Sequence, residues 1–119
     1  MQDIAIAQEM ARIIDDKKGQ NIVALKVDHL TVVCTHMVIA SGRNVPQVKA
    51  ISEELEETMA AQGLTPQRIE GRIEGRWIVM DYGSIIVHIF HHEERAYYNL
   101  ERLWEDGSNR LVLPFETED

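Results

Sequence analysis

Apolar residues recur along the chain at two different spacings, which predict helices in some stretches and strands in others. The first helix is predicted from residue 4 to residue 14, where apolar side chains recur three or four positions apart. Asp3 is placed to cap this helix, and Gly19 follows as a stop signal. The runs IVALKV (22–27) and TVVCTHMVIASG (31–42) are rich in β-branched residues and predict two strands.

A second helix is marked at both ends. Asn44 is predicted to cap it, Pro46 fits the first turn, and Gln47 stands at capping-box spacing from Asn44. Gly63 closes the helix. Its apolar stripe consists of residues spaced by three or four, which are Val48, Ile51, Leu55 and Met59.

The stretch WIVMDYGSIIVHIF (77–90) predicts a β-hairpin with two distinct faces. Gly83 and Ser84 form a two-residue turn signal, with Gly at the position where a type II′ turn needs a positive φ. Because strand side chains alternate, one face is apolar except for a phenol and is predicted to face the core. Its members are Ile78, Met80, Tyr82, Ile85, Val87 and Ile89.

The other hairpin face combines aromatic and polar residues: Trp77, Val79, Asp81, Ile86, His88 and Phe90. Asp81 and His88 lie on a cross-strand diagonal, within side-chain reach of each other. A tryptophan beside a few polar groups is typical of a protein-docking site. The alternative is a second core face with an internal Asp–His hydrogen bond, as occurs in strands covered on both sides.

Length and composition narrow the classes of function. The 119 residues suit one domain that folds without a disulfide or a structural metal, and Cys34 is the only cysteine. No leader or membrane-spanning run is visible, so we expect a soluble cytoplasmic protein without a membrane partner. The net charge of −8 disfavours a broad nucleic-acid-binding patch and favours a basic protein partner.

Three catalytic or ligand-binding interpretations are weaker. Cys34 and Ser41 are nucleophiles by residue type, but their spacing does not place them beside His88. The HHEE run (91–94) resembles a metal site, yet adjacent strand residues point in different directions, so we expect no metal there. The ASGRN turn (40–44) could hold an anion on its backbone amides, or be only a tight strand-to-helix turn.

Several separated motifs together resemble the ribosomal silencing factor (Iojap) family. They occur in the family's order: VIASG (38–42), QVKAISEELEE (47–57), EGRIEGRWIVMDYGSIIVHIF (70–90) and EERAYYNLERLW (93–104). The resemblance implies an α/β fold related to nucleotidyltransferases but without their catalytic equipment. It also implies binding to a basic protein of the large ribosomal subunit, the fourteenth in the standard naming, which obstructs joining of the small subunit.

The resemblance also suggests which residues contact the partner. It assigns partner contacts first to Trp77, Asp81 and His88. The further residues that it assigns are Tyr82, Arg95, Tyr98 and Leu100. The chain departs from the family where Thr35 and His36 replace the usual aspartate and aromatic residue. A minor contact with rRNA and a homodimer through the aromatic face both stay open.

We therefore predict a single α/β domain at 1–110, with a mixed β-sheet packed against helices and a nucleotidyltransferase-like fold, followed by an acidic tail at 111–119. The predicted function is translation repression by steric exclusion, without catalysis or a cofactor. The alternative is a nucleotide- or metal-dependent enzyme on the same scaffold that uses Asp81 and His88.

Overall fold

The computed structural model describes residues 2–116. Helices and strands follow one another in these residues as α1 (Asp3–Asp16), β1 (Gln20–Lys26), β2 (His36–Gly42), α2 (Val45–Ala61), β3 (Arg68–Glu70), β4 (Trp77–Asp81), β5 (Ile85–His91), α3 (His92–Tyr98) and α4 (Glu101–Trp104). The strands form one five-stranded sheet in the order β1-β2-β5-β4-β3. Strands β2 and β5 are parallel and the other pairs are antiparallel, which confirms the predicted mixed sheet.

Helices α1 and α2 cover one side of the sheet, which we call the helical face. The predicted stripe of α2 is buried there, together with Ile78 and Met80 of β4 and Val87 and Ile89 of β5. These four strand side chains are completely inaccessible to solvent. The alternation read from the hairpin therefore assigns the core side correctly.

Helix α1 begins at Asp3 itself, one residue earlier than predicted, so the assignment of Asp3 as the cap was wrong. Gln2 is the N-cap residue, and its side chain makes no capping hydrogen bond. The Asp3 carboxylate instead accepts hydrogen bonds from Thr35 Oγ1 at 2.8 Å and Ser84 Oγ at 3.1 Å. It thereby joins the start of α1 to the hairpin turn and to the segment before β2.

Strand β2 begins at His36, five residues later than the run of β-branched residues predicts. The preceding residues form turns in which the Leu30 and Thr31 amides donate to the Val27 carbonyl. Val33 N–H donates to Thr31 Oγ1, a local bond that competes with sheet pairing. Residues 31–35 therefore form a loop whose Val33 side chain is exposed.

The start of α2 confirms two predictions and corrects one. Asn44 Oδ1 accepts a hydrogen bond from Gln47 N–H at 2.9 Å, and Pro46 lies in the first turn. The reciprocal bond of the capping box is shifted, because Gln47 Oε1 accepts from Arg43 N–H rather than from Asn44 N–H. The amides of this turn that would hold an anion are thus partly engaged by the chain itself.

Residues 111–116, which the sequence prediction placed in the tail, lie against the domain. Leu111 N–H donates to the Ala24 carbonyl, and Leu113 is buried in the core of the helical face. The acidic residues 117–119 lie outside the described residues. The division of the chain at residue 110 stays a prediction.

Candidate functional site

The hairpin has the register and turn that the sequence predicts. Tyr82 N–H donates to the Ile85 carbonyl at 2.9 Å across the two-residue turn, and Gly83 has φ +90°. Ser84 does not share the positive φ of Gly83, as a type II′ turn requires. Trp77 pairs with Phe90, and Val79 pairs with His88. These residues therefore occupy the side of the sheet opposite α1 and α2.

This second side, which we call the open face, is only partly covered by α3, α4 and the loop at 31–35. Trp77, Val79, Asp81 and Ile86 of the hairpin remain partly accessible, whereas Phe90 is fully buried beneath them. The small apolar cluster on this side includes Leu25, Met37, Ile39 and Phe90, with Trp77, Ile86, Leu100 and Trp104 packed at its edge. The open face is thus an apolar surface with an accessible outer layer.

Trp77 is held from three directions. Its ring stacks on Phe90 with centroids 4.9 Å apart, and Tyr98 lies tilted against it at the same centroid distance. Its indole Nε1–H donates to His88 Nδ1 at 3.1 Å. An aromatic side chain fixed in this way loses little conformational entropy when a partner covers it.

His88 is buried, with 8% of its surface exposed. Burial lowers the pKa of the ring to about 4, so His88 is neutral at physiological pH. Since Nδ1 accepts from Trp77, the proton of the neutral ring lies on Nε2. His88 therefore acts as an uncharged hydrogen-bonding group.

Asp81 does not bond to His88. Its Oδ1 accepts the Gly83 N–H at 2.8 Å, which stabilises the hairpin turn, while His88 Nδ1 is taken by Trp77. Asp81 also lies near Cys34, where burial first and the Asp81 charge second raise the pKa of the thiol. The two polar groups of this face are thus separately engaged, and they do not form the acid–base pair that the enzyme alternative needs.

An apolar groove of about 290 Å³ crosses the open face beside the hairpin. Its lining is uncharged and comes from β2, β4, β5, the loop at 31–35 and the α3–α4 region: Thr31, Val33, Cys34, Met37, Val79, Ile86, His88, Leu100 and Trp104. Val33 on its rim is 68% exposed. Tyr98, 48% exposed, does not line the groove but packs against Trp77, with ring centroids 4.9 Å apart.

Of the seven predicted partner-binding residues, His88 and Leu100 line this groove, whereas Tyr82 and Arg95 are buried elsewhere. Tyr82 is buried on the helical face, where burial raises its pKa to about 12 and its hydroxyl has no partner within residues 2–116. Arg95 is buried and ties α3 to its neighbours through Glu101 Oε2 and the Asn21 carbonyl, each at 2.7 Å. The structure brings Trp77, Asp81, His88, Tyr98 and Leu100 to one side.

The groove also contains residues that were not among the predicted partner-binding residues. Val79 and Ile86 alternate with the predicted residues along the hairpin, so the same pattern could have identified them. Val33 and Trp104 also line the groove, although they are far from the hairpin in the sequence. No local pattern connects these two residues with the hairpin.

The expectation that adjacent residues of the HHEE run diverge was wrong for three of them. The chain passes from β5 into α3 here, and His91, His92 and Glu93 bring one potential ligand atom each within 4.8 Å of one another. The rings of His91 and His92 stack with centroids 4.5 Å apart. His91 Nδ1 accepts from Glu93 N–H at 3.2 Å and so caps the helix.

Comparison with known proteins gives a family for this arrangement. The family model described as "Ribosomal silencing factor during starvation" matches residues 1–119. The chain belongs to this family. A ribosomal silencing factor from Halalkalibacterium halodurans is 39% identical over 107 residues, covering 90% of this chain and 92% of the relative. The ribosomal silencing factor of Bacillus subtilis is 37% identical over the same length, covering 90% and 91%.

A solved structure agrees with the fold. A crystal structure of a protein from Bacillus halodurans matches with a TM-score of 0.80 and 37% identity, covering 92% of this chain and 98% of that chain. The sequence resemblance and the α/β fold with a mixed sheet are thereby confirmed; the nucleotidyltransferase relation stays a prediction. Membership in the silencing-factor family supports a ribosome-associated role in regulating translation, not an enzymatic one. Within residues 2–116, every helix is too short or too polar to cross a bilayer.

Proposed function

We propose that this protein represses translation in the cytoplasm by docking its open face on the large ribosomal subunit. The contact is made to the basic fourteenth protein of that subunit. The bound domain then occupies space that the small subunit needs for joining. This mechanism requires only affinity for the large subunit and a domain large enough to obstruct the small subunit, because no substrate is transformed.

The supporting observation is the partly exposed aromatic and apolar layer around Trp77. Binding hot spots are enriched in tryptophan and tyrosine that lie in well-packed, desolvated positions. Trp77 is backed by Phe90 and flanked by Tyr98 before any partner arrives. The groove beside it offers a concave apolar surface for a protruding side chain.

Charge favours a basic partner. The protein carries a net charge of −8, which attracts a basic surface and raises the rate of encounter at low salt. The partly exposed carboxylate of Asp81 lies at the hairpin end of the open face. It is the predicted acidic contact for a lysine or arginine of the partner.

The size of the domain is sufficient for steric exclusion. A standard interface takes about 800 Å² from each partner, and the domain exposes 6718 Å² in total. Docking through the open face therefore leaves the helical side and the sheet edges pointing away from the partner. These parts provide the bulk that obstructs the small subunit.

Co-sedimentation of purified variants with purified large subunits tests the proposal. Replacing Trp77 with Ala removes the aromatic anchor and is expected to cost about 2 kcal/mol of binding free energy, roughly a thirtyfold weaker affinity. The matched control is Tyr82→Phe, on the helical face of the same hairpin, which should bind as the wild type does. Normal co-sedimentation of a folded Trp77→Ala protein would contradict the site.

A homodimer through the open face is the competing occupant of the same surface. Light scattering of the wild type and Trp77→Ala separates the two. Loss of a dimer together with unchanged affinity for the large subunit would assign the aromatic layer to self-association instead. A monomeric wild type with Trp77-dependent subunit binding is the result we expect.

A further inference from the structure

A second cavity, which we call the α3–α4 cavity, lies where the two short helices meet. Its volume is about 580 Å³. Its lining comes from the end of α3, the bend after it and α4: Ala96, Tyr97, Tyr98, Asn99, Arg102 and Leu103. Asn99 ends α3 in the left-handed conformation, with φ 48° and ψ 51°, which asparagine tolerates better than most residues. The chain turns there, and α4 begins at Glu101.

Tyr98 connects this cavity with the aromatic layer of the open face. Its ring packs against Trp77 with centroids 4.9 Å apart, and the ring of Tyr97 meets it nearly at a right angle, with centroids 5.0 Å apart. Tyr97 is nevertheless 82% exposed, more than any other aromatic side chain in residues 2–116. A ring that is mostly exposed leaves surface on which a planar base can stack.

Arg102 gives the cavity a charge opposite to that of the whole protein. The net charge is −8, and six of the eight arginines pair with a carboxylate within residues 2–116. Arg102 is exposed and makes no such pair with the described residues, and the cavity lining contains no acidic residue. A guanidinium in this setting is suited to bind a phosphate.

We propose that the α3–α4 cavity binds an unpaired nucleotide of the large-subunit rRNA, whose base stacks on Tyr97 and whose phosphate pairs with Arg102. This inference rests on the proposed docking of the open face, which brings the cavity against the subunit. Stacking on a tyrosine tolerates every base, so the contact adds affinity without reading sequence. The acidity of the protein disfavours a broad RNA-binding patch and limits the contact to this cavity.

The chemistry of the lining selects a nucleotide over a second contact with the partner protein. The proposed partner is basic, so its cationic side chains would be repelled by Arg102 and would find no carboxylate in the lining. An rRNA loop supplies both a planar base and a phosphate. Stacking of unpaired bases on aromatic side chains is a common mode of single-stranded RNA recognition.

Binding to whole large subunits, compared with binding to the isolated fourteenth protein, tests the proposal at Tyr97. Tyr97→Ala removes the stacking ring and should bind purified subunits at least about fivefold more weakly. The same variant should bind the isolated protein as the wild type does, because that protein carries no RNA. The matched control Tyr97→Phe keeps the ring and should bind both as the wild type does.

The phosphate contact is tested through its dependence on salt. Arg102→Gln should weaken binding to subunits and reduce the slope of log affinity against log salt concentration by about 0.7, the value for one phosphate of a single strand. The control Arg68→Gln makes the same charge change on the exposed surface of the edge strand β3 and should leave the slope unchanged. Equal slopes for wild type and Arg102→Gln would overturn the phosphate contact.

Crosslinking identifies the occupant directly. A photo-reactive amino acid in place of Tyr97 is expected to attach to rRNA when the complex with large subunits is irradiated. Attachment to ribosomal protein alone would overturn the nucleotide contact.

The outcomes distinguish this inference from the proposed function. If Tyr97→Ala binds subunits normally, or is weakened equally towards the isolated protein, the nucleotide contact is overturned. The docking face still stands if Trp77→Ala is weakened towards both. If the wild type binds subunits but not the isolated protein, the partner assignment falls and the crosslink from position 97 decides the nucleotide contact. If the wild type binds neither, both proposals fall.

Discussion

The two faces of one hairpin differ in how completely they are covered. On the helical face, Ile78, Met80, Val87 and Ile89 are sealed under α1 and α2. On the open face, the intervening Trp77, Val79 and Ile86 remain partly accessible, although they are just as apolar. Because side chains alternate along each strand, residues that stabilise the core and residues available for recognition follow one another within the same two short strands.

This difference teaches how the protein keeps an apolar docking surface without losing its fold. The helical face supplies most of the buried hydrocarbon, so the open face need not be fully covered for the domain to be stable. The buried Phe90 and Tyr98 of α3 pack against Trp77 and hold it in place. Changes on the two faces should consequently affect different measurements.

The largest expected effect is on the stability of the helical face. Ile89→Ala removes a fully buried side chain of β5 and should lower the free energy of unfolding by about 2–5 kcal/mol. Ile86→Ala, the same change on the open face of the same strand, should cost about 1 kcal/mol or less. Urea unfolding monitored by fluorescence measures both. Equal losses would mean that the open face is part of the core.

The next largest expected effect is a loss of stability at acidic pH, caused by His88. His88 has a pKa of about 4 in the folded protein, below the ordinary value of 6.5, because burial disfavours the charged ring. As the pH falls, His88 of the unfolded chain therefore takes up a proton before His88 of the folded protein does. The free energy of unfolding is unaffected by this titration above pH 6.5, and it decreases as the pH falls from 6.5 towards 4. The loss amounts to about 3 kcal/mol over that range.

The measurement is urea unfolding at several pH values between 7 and 4, comparing wild type with His88→Asn. Taking the difference between the two proteins cancels the titration of their shared groups. The wild type should lose more stability than the variant on acidification. Parallel pH profiles would show that His88 is not desolvated, and that the open face is wetter than its geometry indicates.

A smaller effect is expected at Asp81, where the turn and the docking face meet. Asp81→Ala leaves the Gly83 N–H without its acceptor and should cost about 1 kcal/mol of unfolding free energy. Asp81→Asn keeps an oxygen acceptor and should be nearly as stable as the wild type. If the carboxylate contacts a basic partner, the Asn variant should bind large subunits less tightly at low salt and with a weaker dependence on salt concentration.

The sequence predicts the hairpin and both of its faces because each depends on local alternation and on one glycine-containing turn. It also predicts the buried stripe of α2, which depends on helical spacing alone. The family resemblance could be read from motifs that are local in the chain. These features need no knowledge of what lies across the molecule.

The features that the sequence did not reveal depend on contacts between distant residues. Asp3 has the pattern of a helix cap, but Thr35 and Ser84 approach its carboxylate only in the folded chain. Similarly, His88 lies within reach of Asp81, yet the indole of Trp77 reaches its Nδ1 instead. The groove needs Val33 and Trp104, which are separated by most of the chain and meet only once the sheet is formed.

Site-specific crosslinking tests most directly which face docks. A photo-reactive amino acid replaces either Val33, exposed on the rim of the groove, or Glu57, exposed on α2 at the helical side. Each protein is bound to purified large subunits and irradiated, and the attached ribosomal protein is identified by mass spectrometry. The docking account predicts attachment to the fourteenth protein from position 33 and little from position 57. Attachment mainly from position 57 would contradict it.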